Sequence, residues 1–205
     1  MKKYAGVSDD GQAMYWRDVK DENGKVVDKV ATTDYSTASF HLCGTALPDV
    51  YGGFGTSVAY KGFDFSVDFS YQLGGQVYDS DYAAAMSNRV GSVFHKDILN
   101  SWTPEHHTNI PRLQYNDQYA VTSSDRFLTS ASYLSLNNIQ LGYTLPSSLT
   151  SKAYIQKVRV YCTADNVWVW SKRQGLDPRQ SISGSVTSAY YAPIRTISGG
   201  ITVTF

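Results

Sequence analysis

Residues 195–205 read RTISGGITVTF, and the pattern of these residues indicates the kind of fold. From Ile197 onward, apolar residues and glycine alternate with small or hydroxylated residues, which is typical of a β-strand whose two faces meet different surroundings. The stretch carries no charge after Arg195 and no proline after Pro193, although exposed edge strands usually carry one or the other. Such a strand needs hydrogen-bonded edges and an apolar medium on one face. A closed β-barrel in a lipid bilayer meets both needs.

The stretch from Phe63 to Leu73 has the most regular alternation in the chain. It predicts a strand with one apolar face, which we expect to contact lipid through Phe63, Phe65, Val67, Phe69 and Tyr71. The opposite face carries Asp64 and Asp68, which suit a water-filled lumen. Its eleven residues match a membrane-spanning strand of about 9–11 residues, whereas globular strands average about five or six.

Further strands are predicted on both sides of this one. Lys61-Gly62 has the length of a hairpin turn and would join Phe63–Leu73 to a strand at Gly53–Tyr60. Two more follow at Tyr133–Thr144 and Ile155–Trp170, before the final strand. In Tyr133–Thr144 the alternation of apolar residues shifts by one position at Asn137-Asn138, which predicts a β-bulge.

The connections between these strands alternate in length. Long segments at 1–50, 74–132 and 171–193 alternate with the two-residue turn and with the short connection 145–153. Membrane barrels have short periplasmic turns and longer extracellular loops, so this alternation independently favours a barrel.

The long segments are expected to hold only small elements. A hairpin is predicted from Ala13–Arg17 and Val26–Val30 around a turn at Asn23-Gly24, and short helices at 81–90 and 94–102. By regions, we expect an extracellular segment at 1–50, a strand hairpin at 51–79, a long extracellular loop at 80–132 and the last three strands at 133–205.

Composition excludes several classes of function. The 18 basic and 18 acidic residues cancel, so nothing indicates a nucleic-acid partner. No nucleophile elbow or phosphate-binding loop is found, so we predict neither an enzyme nor a cofactor. His95, His106 and His107 lack the spacing of a metal site, and Cys43 and Cys162 are expected to be free thiols.

The number of strands limits what the chain does by itself. Five good strands cannot close a barrel, because bacterial barrels have an even number of eight or more. No apolar run is long enough for a membrane helix, and no signal peptide is recognised after Met1. We therefore expect a portion of a larger exported barrel.

Several stretches together resemble one family, the SusC/RagA-type TonB-dependent outer-membrane transporters, over roughly residues 4–205. The stretches that carry the resemblance are YKGFDFSVDFSYQLGGQVYD (60–79), SWTPEHHTNIPRL (101–113), SSDRFLTSASYLSLNNIQLGYTLP (123–146), KVRVYCTADNVWVWSKRQGLDP (157–178) and APIRTISGGITVTF (192–205). The chain is similar to the carboxy-terminal part of that barrel. It departs from the family at Arg179, where Glu is frequent after GLDP, and no role is transferred to that motif.

The resemblance implies a transport function and a set of partners. The complete barrel would have about 22 strands and an amino-terminal plug on which the TonB complex acts. It would import glycan oligomers or peptides together with a SusD-like surface lipoprotein, which would contact loops 74–132 and 171–193. The final strand resembles the signal read by the barrel assembly machinery. The residues of that signal would be Gly199, Ile201, Val203 and Phe205.

Two alternatives from other classes remain open on sequence grounds. One is a soluble all-β carbohydrate-binding module, whose exposed Tyr and Trp side chains would stack on sugars. In that case the apolar side chains of Phe63–Leu73 would fill a core instead of facing lipid. The other is a truncated remnant without function.

Overall fold

A computed structural model of the chain describes residues 1–87, 91–115, 117, 119–172, 177–180, 185–186 and 193–205. The β-strands are β1 Tyr4–Val7, β2 Ala13–Lys20, β3 Val26–Thr32, β4 Val50–Tyr60, β5 Phe63–Leu73, β6 Gln76–Asp79, β7 Leu128–Ser130, β8 Tyr133–Thr144, β9 Lys157–Ser171, β10 Ser185–Val186 and β11 Thr196–Thr204. The helices are α1 Ser80–Ala85, α2 Ser147–Thr150 and short 3-10 turns at Tyr35–Thr37, Lys96–Asn100, Asp125–Phe127, Ser151–Ala153 and Pro178–Gln180. Among the described residues, none of these helices has the length and apolar character needed to span a membrane.

The largest sheet has five strands in the order β11-β9-β8-β5-β4, and every neighbouring pair is antiparallel. Each of its strands pairs with the sheet strand that comes before or after it along the chain, so the sheet is an up-and-down meander. The predicted all-β, antiparallel fold class is confirmed. The five strands also lie close to their predicted bounds, with β5 and β8 matching them at both ends.

The turn between β4 and β5 follows from its two residues. Lys61 and Gly62 have φ angles of 46° and 89°, the left-handed values that a two-residue type I′ turn needs at both positions. Glycine adopts such an angle without steric cost, and the turn places Tyr60 opposite Phe63. The predicted hairpin length is confirmed.

The predicted bulge in β8 is also confirmed. Against β5, Asp68 pairs with Asn138 and Phe69 pairs with Leu136, so Asn137 is the extra residue. This residue moves the apolar phase of β8 by one position, and as a result Leu136 and Ile139 lie on the same face despite their odd spacing.

The described chain divides into two compact units. Unit 1 comprises residues 1–45, 77–129 and 183–187, and unit 2 comprises 46–76, 130–182 and 188–205. Unit 2 contains the five-stranded sheet. Unit 1 contains a three-stranded sheet in the order β1-β2-β3, and a further small sheet has the order β10-β6-β7.

Unit 1 contains clusters of buried apolar residues. One core is formed by Ala83, Met86, Ile98 and Phe127, and another by Ala13, Tyr15 and Ala38. The predicted hairpin of the first fifty residues is present as β2 and β3, and β1 adds a third strand to it.

The helical elements of unit 1 are shorter than the sequence predicts. The helix expected at 81–90 is present as α1, which ends at Ala85, and the last predicted residues 88–90 lie outside the described part of the chain. The helix expected at 94–102 is a 3-10 turn over Lys96–Asn100. Both segments are too short for helix propensity to decide their conformation.

Candidate functional site

The pairing register places the apolar residues of the five-stranded sheet on one common face. Residues directly opposite in an antiparallel pair lie on the same face. One such row crosses all five strands through Tyr60, Phe63, Tyr143, Val160 and Ile201, and the next through Val58, Phe65, Leu141, Cys162 and Gly199. Successive rows continue through Val67, Phe69 and Tyr71. The predicted lipid-facing residues therefore share one surface, which we name the apolar face.

The apolar face is exposed, unlike the buried cores of unit 1. Ile201 is 68% exposed, Val58 is 59% exposed and Phe63 is 55% exposed. An exposed apolar surface that continues across five strands is far larger than the scattered apolar residues of a soluble surface, and it indicates a membrane or partner contact.

The length of the apolar face matches a bilayer. Phe63 and Leu73 are ten residues apart on β5, which corresponds to about 34 Å along an antiparallel strand. A strand tilt of about 35–45° reduces this to roughly 26 Å of membrane thickness, close to the apolar band of about 25 Å on outer-membrane barrels.

Aromatic side chains lie toward both ends of the apolar face. Next to the two-residue turn, the Phe63 and Tyr143 rings are 4.4 Å apart between centroids. Toward the other end, the Trp168 and Trp170 rings are 6.3 Å apart and both are about half exposed. Aromatic girdles at the two membrane interfaces have this arrangement.

The opposite face of the sheet, which we name the polar face, carries an ion pair that spans three strands. Arg159 on β9 donates from Nε to Asp64 on β5 at 3.0 Å, and its Nη2 donates to the second carboxylate oxygen. The pair passes over Gly142 on β8, where a Cβ would lie 2.5 Å from both partners. Only a glycine at this position lets the two side chains meet.

Sequence reasoning missed this pair although it expected Asp64 on the polar face. Gly142 was the available signal, because it occupies the polar phase of β8 at the place where a side chain is missing. Residues two strands apart are not related by a sequence period, so the partner Arg159 was not predictable from spacing.

Further polar contacts hold the same face at the bulge. Asn138 donates to Asp165 at 2.7 Å across β8 and β9, and the Ser70 hydroxyl lies 3.2 Å from the Asn137 side-chain oxygen. Hydrogen bonds between side chains on a face suit a surface in contact with water rather than lipid.

A segment of the long connection between β9 and β11 covers one end of the polar face. Arg179 forms ion-paired hydrogen bonds to Asp177, the shortest at 2.7 Å, and donates to the Ser135 hydroxyl at 2.9 Å. Ser135 is fully buried as a result. Burial raises the pKa of Asp177, but hydrogen bonds from Arg179 outweigh it and the net pKa is lowered. The neighbouring Gly175 and Leu176 of the GLDP stretch lie outside the described residues.

In unit 1, the predicted WTPEHHTNIPRL segment packs on the turn between β1 and β2. Trp102 stacks on His107 with ring centroids 5.2 Å apart, and the Arg112 amide donates to the Gly11 carbonyl at 2.8 Å. Gly11 has a φ of +85°, and a Cβ there would collide with the Trp102 indole. The glycine therefore allows the indole to approach the turn.

A cluster of tyrosines surrounds Arg126 in unit 1. Tyr15 makes edge contacts with Tyr4 and Tyr35 at 5.9 and 5.0 Å between centroids, and the Arg126 guanidinium lies 5.4 Å from the Tyr4 ring. Burial raises the pKa of Tyr4 to about 12, while the charge of Arg126 works in the opposite direction. Burial also lowers the pKa of Arg126. Arg126 donates to the Ala120 carbonyl at 3.0 Å, so the cation is held by cation–π contacts and a backbone oxygen.

The histidines and cysteines are found in separate places. His95 accepts from the Asp97 amide at 3.2 Å, and His107 stacks on Trp102. Cys43 in unit 1 and Cys162 on the apolar face are both free thiols. Within the described part of the chain, no group of three or more His, Cys, Asp or Glu side chains is arranged to hold a metal ion.

The predicted assembly-signal residues lie along β11, at one edge of the five-stranded sheet. Gly199, Ile201 and Val203 pair with Cys162, Val160 and Val158 of β9, and Phe205 follows the last strand residue. In the described part of the chain β11 has a strand partner on one side only. The role of these residues in assembly stays a prediction.

The known proteins to which the chain is similar in sequence include several TonB-dependent receptors. No protein-family model matches the chain. A TonB-dependent receptor of Formosa agariphila is 29% identical over 195 residues, which cover 90% of this chain and 19% of the relative. The TonB-dependent receptor SusC of Bacteroides thetaiotaomicron is 27% identical over 196 residues, covering 93% and 19%. Among solved structures, a chain of the RagAB peptide importer in its open-open state matches with a TM-score of 0.80 at 27% identity, covering all of this chain and 22% of that one.

Proposed function

We propose that this chain forms part of the barrel wall of an outer-membrane nutrient importer. It is homologous over most of its length to TonB-dependent receptors such as SusC, and it is similar in structure to part of the RagAB importer. TonB-dependent receptors are β-barrel proteins of the outer membrane, so the predicted localisation is confirmed. The relatives are receptors and transporters, not enzymes. The chain spans about a fifth of the length of the curated relatives that it matches.

The observation that carries the proposal is the two-faced sheet of unit 2. Its apolar face is exposed, extends across all five strands and has the length of a bilayer's apolar band. Its polar face holds the Asp64–Arg159 pair, which suits a lumen. In the part of the chain that the structure describes, β4 and β11 are edge strands, and they need further strands because unpaired backbone groups are not tolerated in lipid.

The same observation weighs against the soluble binding module. In such a module the apolar side chains of β4 and β5 would be buried in a core. Instead Phe54, Val58, Tyr60 and Phe63 are all more than half exposed.

The partners of the complete importer form part of the proposal. A SusD-like surface lipoprotein would cap the extracellular side, and the TonB complex would act through a segment outside this chain. RagAB is a peptide importer, which supports peptides as cargo, with glycan oligomers as the other substrate class. Outer-membrane lipid would contact the apolar face, and the barrel assembly machinery would act on β11 through Gly199, Ile201, Val203 and Phe205.

The proposal is tested by locating the chain in the cells that make it. The outer-membrane and soluble fractions are separated on a denaturing gel and probed with an antibody against residues 171–193. We expect one band in the outer membrane, several times larger than 22.7 kDa, because the relatives are about five times longer than this chain. A band near 22.7 kDa in the soluble fraction would contradict the barrel and favour the binding module.

A further inference from the structure

We propose that Arg195, Trp168 and Trp170 form a binding site for the phosphate group of an anionic lipid, on the apolar face at the extracellular membrane interface. The inference rests on the proposed barrel function, and it adds a specific lipid ligand to a face that otherwise contacts only hydrocarbon.

The first support is the geometry of Arg195. Its Nε donates to the Val167 carbonyl at 2.9 Å, and its guanidinium carbon lies 5.9 Å from the centre of the Trp168 ring. These contacts fix the plane of the guanidinium. Its two terminal nitrogens have no partner among the described residues, and Arg195 is exposed. A guanidinium held in this way can bind phosphate by two parallel hydrogen bonds from its terminal nitrogens.

The second support is the height of Arg195 in the membrane. Arg195 and Phe205 are ten residues apart, about 34 Å along the strand, and the strand tilt converts this to roughly 26 Å of thickness. If Phe205 lies at the periplasmic interface, Arg195 therefore lies at the extracellular one. Trp168 and Trp170 mark the same level, since tryptophan side chains concentrate where lipid headgroups begin.

The third support is the local charge. From Asp165 onward the chain has two acidic residues. Asp165 lies on the polar face, where it accepts from Asn138, and Asp177 is bonded to Arg179. The basic residues of the same stretch are Lys172, Arg173, Arg179 and Arg195. Among the described residues neither carboxylate forms an ion pair with Arg195. A guanidinium at the edge of a hydrocarbon layer needs a counter-ion, and a lipid phosphate is the anion that is present at that depth.

Anionic and neutral lipids compete for this site in the decisive experiment. The complete transporter that carries this chain is reconstituted into bilayers of equimolar phosphatidylglycerol and phosphatidylcholine, then exchanged into a nonionic detergent. The lipids that stay bound are identified by native mass spectrometry. We expect the wild type to retain phosphatidylglycerol in preference to phosphatidylcholine.

Variants assign that preference to Arg195. Arg195→Gln keeps a donor for the Val167 carbonyl but removes the charge, and should lower the preference about fivefold, the effect of one basic residue at an anionic membrane surface. Arg195→Lys should retain most of it and shows that the strand still forms. Lys29→Gln removes the same charge from an exposed position on β3 and should leave the preference unchanged.

Some outcomes would contradict the lipid site, and one would contradict the barrel function on which it rests. Equal retention of both lipids by the wild type, or an unchanged preference in Arg195→Gln, would overturn the lipid site. Displacement of phosphatidylglycerol by inorganic phosphate would also overturn it, since the site would then bind a soluble anion. A wild type that does not enter bilayers at all would instead contradict the proposed barrel function.

Discussion

Replacing Val67 by arginine should destabilise the assembled barrel by an amount that depends on its depth in the membrane. Val67 is four residues from Phe63, about 14 Å along β5, or roughly 10 Å in height once the strand is tilted. It therefore lies within a few ångströms of the middle of an apolar band about 25 Å thick. An arginine at the midplane of a barrel's lipid face costs about 2–4 kcal/mol. That cost corresponds to roughly a 30- to 1,000-fold shift in the folding equilibrium.

The measurement is the free energy of unfolding of the complete transporter in lipid vesicles, from denaturant titration. Ser66→Arg is the matched control, because Ser66 is the adjacent residue on the polar face and pairs with Gln140. We expect Ser66→Arg to cost much less than Val67→Arg. Leu73→Arg, at the end of the apolar face, should cost about 0–1 kcal/mol.

Two outcomes of these arginine substitutions would contradict a lipid-facing position for Val67. Equal costs at Val67 and Leu73, or a larger cost at Ser66 than at Val67, would show that the apolar face does not contact lipid.

Three other predictions concern the polar face, the final strand and the tyrosine cluster. Gly142→Val should destabilise the sheet by about 1–3 kcal/mol through overpacking against the Asp64–Arg159 pair. The cost should be smaller in an Asp64→Ala background, where the Arg159 side chain is free to move. If the unfolding free energies of the two substitutions simply add, residue 142 does not contact the pair. Deleting Phe205 should lower the amount of transporter assembled in the outer membrane, measured by quantitative blotting with a Tyr4→Phe variant as the control. Normal assembly without Phe205 would show that this residue is not part of the assembly signal. Because burial raises the pKa of Tyr4 to about 12, its neutral side chain stabilises unit 1 below the ordinary tyrosine pKa of about 10, and this contribution should be lost as pH rises from about 10 to 12. Far-ultraviolet circular dichroism of the wild type and Tyr4→Phe checks this, and an equal loss of structure over that pH range in both proteins would contradict it.

The alternation of side chains made the large sheet predictable. A period of two has a single structural meaning over eleven residues, so the bounds of β5 and its two faces could be obtained from local sequence. The slip at Asn137-Asn138 was predictable for the same reason, since one extra residue inverts the phase.

The cross-strand contacts were not predictable in this way. Asp64 and Arg159 are 95 positions apart, and nothing in either stretch identifies the other as its partner. Similarly, the guanidinium of Arg195 lies over Trp168 only because the pairing register brings the start of β11 beside the end of β9.

The sequence by itself therefore determined the kind of surface that this protein presents, because the alternation that produces an apolar and a polar face is local along each strand. The pairing of distant segments instead sets which residues share a row, which glycine lies beneath an ion pair and which ring the Arg195 guanidinium covers. The tertiary structure also showed that residues 1–45 and 77–129 join in one unit with its own apolar cores. These features depend on pairing between distant segments, which is set by the free energy of the whole sheet and core and has no period in the chain.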